Sequence, residues 1–339
     1  MKHSGRLRVG VIGVGYVGRH HARILNSIED VELVAVADID HDQAKLVGSE
    51  NRCGFTKNML RLIHGGSASD WDDPKREKGV DAVTVAVPTA DHASVAIPFL
   101  EAGIPVLVEK PVAASLAEAD RMIQAARDRG TLLAVGHSER YNPAVTTAMP
   151  LVNEPRFVEV HRLSAFQSRG LDVDVIFDVM IHDLDLLLSI VRAEVESVEA
   201  IGVPVLTDRH DIANVRLRFA NGCIANLTAS RISRERVRKL RFFQHHALVT
   251  VDCAAKEAEA FQVIRDTEGE ATIRGGAIVV PDGEPLELEL RDFVAAVKTN
   301  RDPLVDGAAG RRALALAERI AVSMGSRQSG GKSPVLGTP

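Results

Sequence analysis

The sequence predicts an α/β protein: an N-terminal doubly wound parallel sheet, followed by an α+β domain with an open, mainly antiparallel sheet. Two observations predict this architecture. In the N-terminal part, short apolar runs rich in branched residues alternate with helical patterns, as they do in βαβ units. In the C-terminal part, longer segments alternate polar and apolar residues and are joined by tight connections such as Asn221 and Gly222. We therefore expect one domain over residues 1–140, a second over 141–326 and a disordered tail over 327–339.

The predicted strands of the first domain are 7–12, 32–37, 80–87, 105–108 and 131–135. The predicted strands of the second domain are 156–164, 197–206, 214–219, 223–230, 238–243 and 248–252. The segment 55–78 fits neither pattern, and it has no functional interpretation.

Composition and charge exclude several classes of protein. A chain of 339 residues with 45% hydrophobic and 26% charged residues is typical of a globular protein of two domains. The net charge of −5 gives no general attraction to nucleic acid or to an anionic membrane. The three cysteines lack metal-ligand spacing, and no stretch resembles a signal sequence or a membrane span. We therefore expect reduced thiols and a cytoplasmic protein.

Three glycines, Gly13, Gly15 and Gly18, follow the first strand directly. In a dinucleotide-binding unit the first glycine allows a tight turn, the second lets a pyrophosphate approach the backbone, and the third lets helix and strand pack closely. The helix that starts near Tyr16 and Val17 would offer its amides to the phosphates. This pattern predicts a Rossmann nucleotide site.

Asp38 ends the second strand, twenty residues after Gly18, where an acid binds the hydroxyls of the adenosine ribose. A carboxylate there would repel a 2′-phosphate, and no Arg or Lys follows in the next three residues. The sequence therefore favours NAD over NADP.

The next two strand ends add candidate cofactor contacts, because these ends face the ligand in a doubly wound sheet. Pro88 and Thr89 follow one strand, and His92 is either a further contact or a helix residue without chemistry. Glu109 and Lys110 follow the next strand. We expect Lys110 to present its ammonium to a bound substrate; the alternative is a surface lysine at an edge strand.

These motifs, in this order, resemble the glucose-fructose oxidoreductase, inositol dehydrogenase and MocA family of nicotinamide-dependent sugar dehydrogenases. The resemblance extends over residues 6–326, with a longer 55–78 segment than the family usually has. It implies that Lys110 is catalytic. It also implies association through the C-terminal sheet into a homodimer or homotetramer.

Asp178 and His182 lie four residues apart in an apolar segment, so on a helix they share one face. Three interpretations remain: a helix-stabilising polar pair, a metal site that also uses Asp185, or an aspartate that orients a general base. The family resemblance favours the base, because the pair matches the family motif.

Three further stretches, 140–143, 158–166 and 171–175, resemble the subgroup that oxidises the 3-hydroxyl of UDP-N-acetylglucosamine. In that subgroup an aminotransferase converts the keto product into the diamino sugar of lipid A. By this resemblance Arg140, Asn142 and Arg162 are candidate substrate contacts. Arg140, Arg162 and Arg169 could bind the UDP pyrophosphate, or they are ordinary solvated side chains. A UDP-uronic acid, a free sugar or inositol is the alternative substrate. A non-catalytic NAD-binding sensor is the alternative of another class.

Oxidation of an alcohol by NAD requires a base near the hydroxyl, because hydride leaves the carbon as the oxygen loses its proton. We expect His182 and Lys110 to meet at this hydroxyl, with Asp178 orienting the imidazole and Lys110 stabilising the alkoxide. Which of the two side chains takes the proton is open from sequence.

Overall fold

The computed structural model describes residues 5–64, 79–166, 173–265, 267 and 269–325. The chain divides into two compact units, the first formed by residues 1–142 and 282–314 and the second by 143–281 and 315–339. The division differs from the predicted one because residues 282–314 return to the first unit. The predicted tail, residues 65–78 of the segment 55–78 and the candidate contact Arg169 lie outside the described residues.

The first unit contains a parallel sheet, as predicted, but with six strands, because the strand Gly54–Thr56 joins the five predicted ones. Its elements in chain order are β1 (Leu7–Ile12), α1 (Tyr16–Ser27), β2 (Val31–Ala37), α2 (His41–Asn51), β3 (Gly54–Thr56), α3 (Arg61–His64), β4 (Ala82–Val85), α4 (His92–Glu101), β5 (Val106–Glu109), α5 (Leu116–Arg129) and β6 (Leu133–Gly136). The strand order is β3-β2-β1-β4-β5-β6, which is the dinucleotide-binding order. Ligands bind such sheets outside the carboxyl ends of the strands, where the order reverses between β1 and β4.

The second unit contains an eight-stranded sheet. Its elements are α6 (Pro143–Ala148), β7 (Phe157–Leu163), a π-helical turn (Ile176–Met180), α7 (Ile181–Val191), β8 (Val195–Val203), β9 (Ile212–Phe219), β10 (Ile224–Ser230), β11 (Val237–Gln244), β12 (Ala247–Asp252), β13 (Glu257–Arg265) and β14 (Ala271–Ile278). The order is β14-β13-β12-β11-β7-β10-β9-β8, with β7 and β10 parallel and all other pairs antiparallel. The mainly antiparallel sheet is thus confirmed.

The chain then continues through α8 (Pro285–Thr299) and α9 (Gly307–Gly325). Helix α8 belongs to the first unit because Leu290, Phe293 and Val294 are buried in one cluster with Leu7 and Val9 of β1. The spacing i, i+3, i+4 puts these three side chains on one face of the helix. No helix within the described ranges is long and apolar enough to cross a membrane.

Candidate active site

The glycine turn has the shape of a phosphate cradle. Gly13 has φ +77°, and a Cβ there would lie 2.7 Å from the Ala86 carbonyl oxygen. A Cβ on Gly18 would lie 1.8 Å from the Gly13 oxygen, so helix α1 packs directly on the turn. A Cβ on Gly15 would meet nothing within 4 Å. The turn is therefore closed at its two ends and open at Gly15, as a bound pyrophosphate requires.

Helix α1 begins beside this opening. Gly15 is its N-cap and no side chain caps it, so the first amides are available to a phosphate. Tyr16 and Val17, in the first turn, are exposed by 64% and 37%. Their position fits the predicted contact with a dinucleotide.

Asp38 is held against the glycine turn. Its Oδ2 accepts a hydrogen bond of 2.8 Å from the Val14 N–H, and its Oδ1 accepts one of 2.9 Å from the Asp40 N–H. The Gln43 amide also donates to the Val14 oxygen at 2.7 Å. The carboxylate is thus fixed and partly exposed at the carboxyl end of β2, where a ribose would bind.

The loop after β4 exposes Pro88 and, in part, Thr89, but it does not expose His92. The His92 ring lies with Nδ1 2.9 Å from the Pro111 oxygen and Nε2 3.0 Å from the Val87 oxygen. Burial lowers the pKa of His92, and these two carbonyl groups act in the opposite direction. Of the two predicted roles, the structure favours the one without cofactor chemistry: His92 joins the Thr89 loop to the Lys110 loop.

The end of β5 places Glu109 and Lys110 differently. The Glu109 carboxylate is 3.0 Å from Nε2 of His21, a buried histidine of α1. Burial acts to raise the pKa of Glu109, but the His21 hydrogen bond and the charges of His21 and Lys110 outweigh it and lower the pKa. Glu109 was predicted to contact the cofactor, whereas its carboxylate is engaged by His21. Lys110 is partly exposed.

The loop after β6 carries two of the predicted substrate contacts. Asn142 is 2% exposed, and its Nδ2 donates to Glu139 Oε2 at 3.3 Å. The Tyr141 hydroxyl donates to Asp292 of α8 at 2.9 Å. Arg140 is partly exposed. Asn142 therefore stabilises the loop from inside. Arg140, which is partly exposed, is better placed than Asn142 to contact an anionic ligand.

In the second unit, Asp178 lies in the π-helical turn and His182 in the first turn of α7. Both are partly exposed, while Met180, Ile181 and Asp183 around them are buried. The predicted helix is therefore present, but its first turn is π-helical, a feature that is frequent at functional sites.

Arg162 does not have the surface position that a substrate contact requires. Its guanidinium forms a bidentate pair with Asp183, with Nε–Oδ2 and Nη2–Oδ1 distances of 2.8 and 2.7 Å. The two side chains are 5% and 2% exposed. Since Asp183 directly follows His182, this buried pair fixes the start of α7.

A second buried pair fixes the segment that leads into the helix. Asp211 accepts hydrogen bonds from the N–H groups of Val205, Leu206 and Thr207 and from Arg231 Nε. Burial would raise the pKa of Asp211, but these donors lower it far below the usual value. Arg231 also donates to the Val173 oxygen at 2.8 Å. These buried groups were not predicted from sequence; they anchor residue 173, five positions before Asp178.

Comparison with known proteins identifies the family of both units. Residues 7–137 match the GFO/IDH/MocA oxidoreductase family with an NAD-binding Rossmann fold, and residues 152–248 match the GFO/IDH/MocA C-terminal domain. The chain is 36% identical over 320 residues to a UDP-N-acetylglucosamine 3-dehydrogenase of Acidithiobacillus ferrooxidans. The alignment covers 94% of this chain and 97% of the relative.

Two further comparisons also find dehydrogenases that are similar to this chain. A solved structure of UDP-N-acetylglucosamine 3-dehydrogenase from Acidithiobacillus ferrooxidans superposes with a TM-score of 0.84 at 35% identity, covering 95% of this chain and 98% of that one. A myo-inositol 2-dehydrogenase of Thermotoga maritima is 27% identical, covering 98% of this chain and 100% of the relative. The glycine turn, the strand order and both family matches together show that this chain belongs to the GFO/IDH/MocA family of oxidoreductases.

Proposed function

We propose that the chain is an NAD-dependent dehydrogenase that oxidises the 3-hydroxyl of UDP-N-acetylglucosamine to a ketone. The observation that carries the proposal is the 36% identity to a UDP-N-acetylglucosamine 3-dehydrogenase over 97% of that relative's length. The partly exposed Lys110, Asp178 and His182 supply the side-chain types that proton transfer from a hydroxyl needs.

In this proposal the proton-transfer groups have separate tasks. His182 accepts the hydroxyl proton, and Asp178, four residues earlier, orients its imidazole. Lys110 stabilises the negative charge that develops on the sugar oxygen. Arg140 is the proposed contact for the diphosphate, because the residue is partly exposed and a guanidinium can bind two oxygens.

The glycine turn, Asp38 and the Thr89 loop are the proposed binding site for NAD, which accepts the hydride when bound. We expect Asp38→Ala to relax the preference for NAD over NADP, because the carboxylate that repels a 2′-phosphate is lost. The measurement is kcat/KM with each cofactor, and Asp42→Ala in the exposed first turn of α2 is the control. An unchanged cofactor ratio in Asp38→Ala would count against this role.

The substrate is tested by following NADH absorbance with purified protein, NAD and one candidate at a time. We expect UDP-N-acetylglucosamine to give NADH, and the corresponding UDP-uronic acid and myo-inositol to give none. Because oxidation of an alcohol by NAD is unfavourable at neutral pH, the assay includes a sugar aminotransferase with its amino donor to consume the ketone. If only inositol or only the uronic acid gave NADH, that compound would be the substrate instead. If none of the three gave NADH, the result would favour a non-catalytic sensor.

The proposed reaction also suggests a partner enzyme and a pathway. We propose that an aminotransferase consumes the ketone and that the resulting diamino sugar serves lipid A synthesis. We also propose a homodimer or homotetramer formed through the face of the eight-stranded sheet that is opposite the core. That face carries exposed polar side chains on β9, namely Asn214, Arg216 and Arg218, able to hydrogen-bond to a second copy.

A further inference from the structure

Three ionisable side chains from distant parts of the sequence meet inside the first unit. His21 comes from α1, Glu109 from the end of β5 and Glu289 from α8. One nitrogen or oxygen atom of each lies within 4.8 Å of the others. His21 and Glu289 are 0% and 1% exposed. The cluster therefore holds the His21 imidazole and the Glu289 carboxyl group away from water, while the Glu109 side chain keeps 15% of its surface exposed.

The hydrogen bonds in this cluster are unequally distributed. His21 Nε2 pairs with Glu109 at 3.0 Å. Neither carboxyl oxygen of Glu289 has a hydrogen-bond partner among the described residues. An ionised carboxylate that is buried without donors is strongly disfavoured, and such a group takes up a proton instead. The hydrogen bond with His21 Nε2 goes to Glu109, so Glu109 and not Glu289 has a partner that can stabilise an anion.

The charged neighbours act in the same direction. Burial first, and then the negative charges of Glu109 and of Asp292 on α8 itself, raise the pKa of Glu289 well above its usual value. The pKa of Glu109, by contrast, is lowered. Tyr141 faces the same region, and its pKa is raised by burial and by the charge of Asp292. Two nearby carboxyl groups whose pKa values move apart divide into one anion and one neutral acid.

We propose that Glu289 is a positioning residue that remains a neutral carboxylic acid, so that Glu109 is the single anion of the cluster beside Lys110. The role in catalysis rests on the proposed function, since it assumes that Lys110 acts on substrate. If Glu289 lost its proton, a second negative charge would lie within a few ångströms of Glu109 and change the field at Lys110. The proton on Glu289 thus keeps the electrostatic environment of Lys110 constant.

The protonation state can be tested without any substrate. Infrared spectroscopy of the purified protein detects the C=O stretch of a protonated carboxylic acid, which shifts in deuterium oxide. We expect such a band in wild type at neutral pH and its loss in Glu289→Gln. Glu287→Gln is the matched control, because Glu287 lies on the same helix with a side chain 36% exposed. Retention of the band in Glu289→Gln would overturn the proposal, even if the proposed function holds.

The stability of the variants gives a second readout with a defined sign. An acid whose pKa is raised on folding holds more protons in the folded than in the unfolded state, so it lowers stability as pH rises above its unfolded pKa of about 4.3. We therefore expect the Tm difference, Glu289→Gln minus wild type, to become more positive as pH increases from 5 to 8. A Tm difference that is independent of pH, or a bound divalent metal that Glu289→Gln loses, would contradict a neutral Glu289.

The link to Lys110 has its own measurement. In the pH profile of kcat/KM, we expect a constant ratio of Glu289→Gln to wild type across the pH range in which the infrared band persists, because both side chains are then neutral. At the higher pH at which wild type loses the band, we expect the ratio to change, because glutamine cannot ionise. For Glu287→Gln we expect a constant ratio. A Glu289→Gln ratio that stays constant through the pH at which wild type loses the band would assign Glu289 a merely structural role and overturn the positioning proposal, while the infrared band would still report its protonation state.

Discussion

Replacement of Lys110 by alanine is expected to lower turnover by about 10²–10⁴-fold, the range that positioned proton-transfer groups contribute. The variant loses the ammonium that we propose stabilises the developing alkoxide, but it keeps the glycine turn and Asp38. We therefore expect NAD to bind as it does to wild type. Turnover is measured by NADH formation with saturating substrate, and NAD binding by calorimetry.

His182→Ala is expected to fall in the same range, since it removes the proposed base. Lys45→Ala, at an exposed position of α2, is the matched control for the loss of a lysine. Near wild-type turnover in either active-site variant would remove that residue from the mechanism. Loss of NAD binding in Lys110→Ala would show that the lysine serves the cofactor site instead.

Replacement of Arg162 by methionine is expected to lower the free energy of unfolding by about 3–5 kcal/mol, because it leaves the carboxylate of Asp183 buried without its partner. The pair is bidentate, and its members are 5% and 2% exposed. We expect turnover to fall as well, since Asp183 follows His182 directly. Urea unfolding monitored by circular dichroism measures the change in stability.

The control for this prediction is Arg241→Met. Arg241 lies 3.6 Å from Glu159, and the two side chains are 50% and 33% exposed, so the expected loss is about 0–1 kcal/mol. The double variant Arg162→Met with Asp183→Leu removes both charges and is expected to recover part of the lost stability. Equal losses in Arg162→Met and Arg241→Met would show that the buried pair does not hold the start of α7.

The parts of the fold that local patterns encode were predictable. The first strand, 7–12, has the bounds of β1, and the glycine turn follows it as predicted. Two strands of the second unit were missed for a physical reason. In β13 the adjacent apolar residues 260–261 and 263–264 break the alternation, and Gly275 and Gly276 interrupt the pattern of β14. Strand β3 was missed because it has only three residues.

The parts of the site that depend on distant residues were not predictable in this way. The cluster of His21, Glu109 and Glu289 forms only because α8 belongs to the first unit. No local sequence pattern predicts that α8 packs there. The inward position of Arg162, however, had a signal in the sequence. It shares the period-two face of β7 with Val158 and Val160, both buried, which indicates an inward side chain that needs a buried partner.

The most direct measurement of the central claim follows the hydride itself. UDP-N-acetylglucosamine carrying deuterium at carbon 3 is incubated with NAD, the protein and the aminotransferase, and the reduced cofactor is analysed by mass spectrometry. We expect one deuterium in the NADH and none when the label is placed on carbon 4. Unlabelled NADH from the carbon 3 substrate would contradict the account.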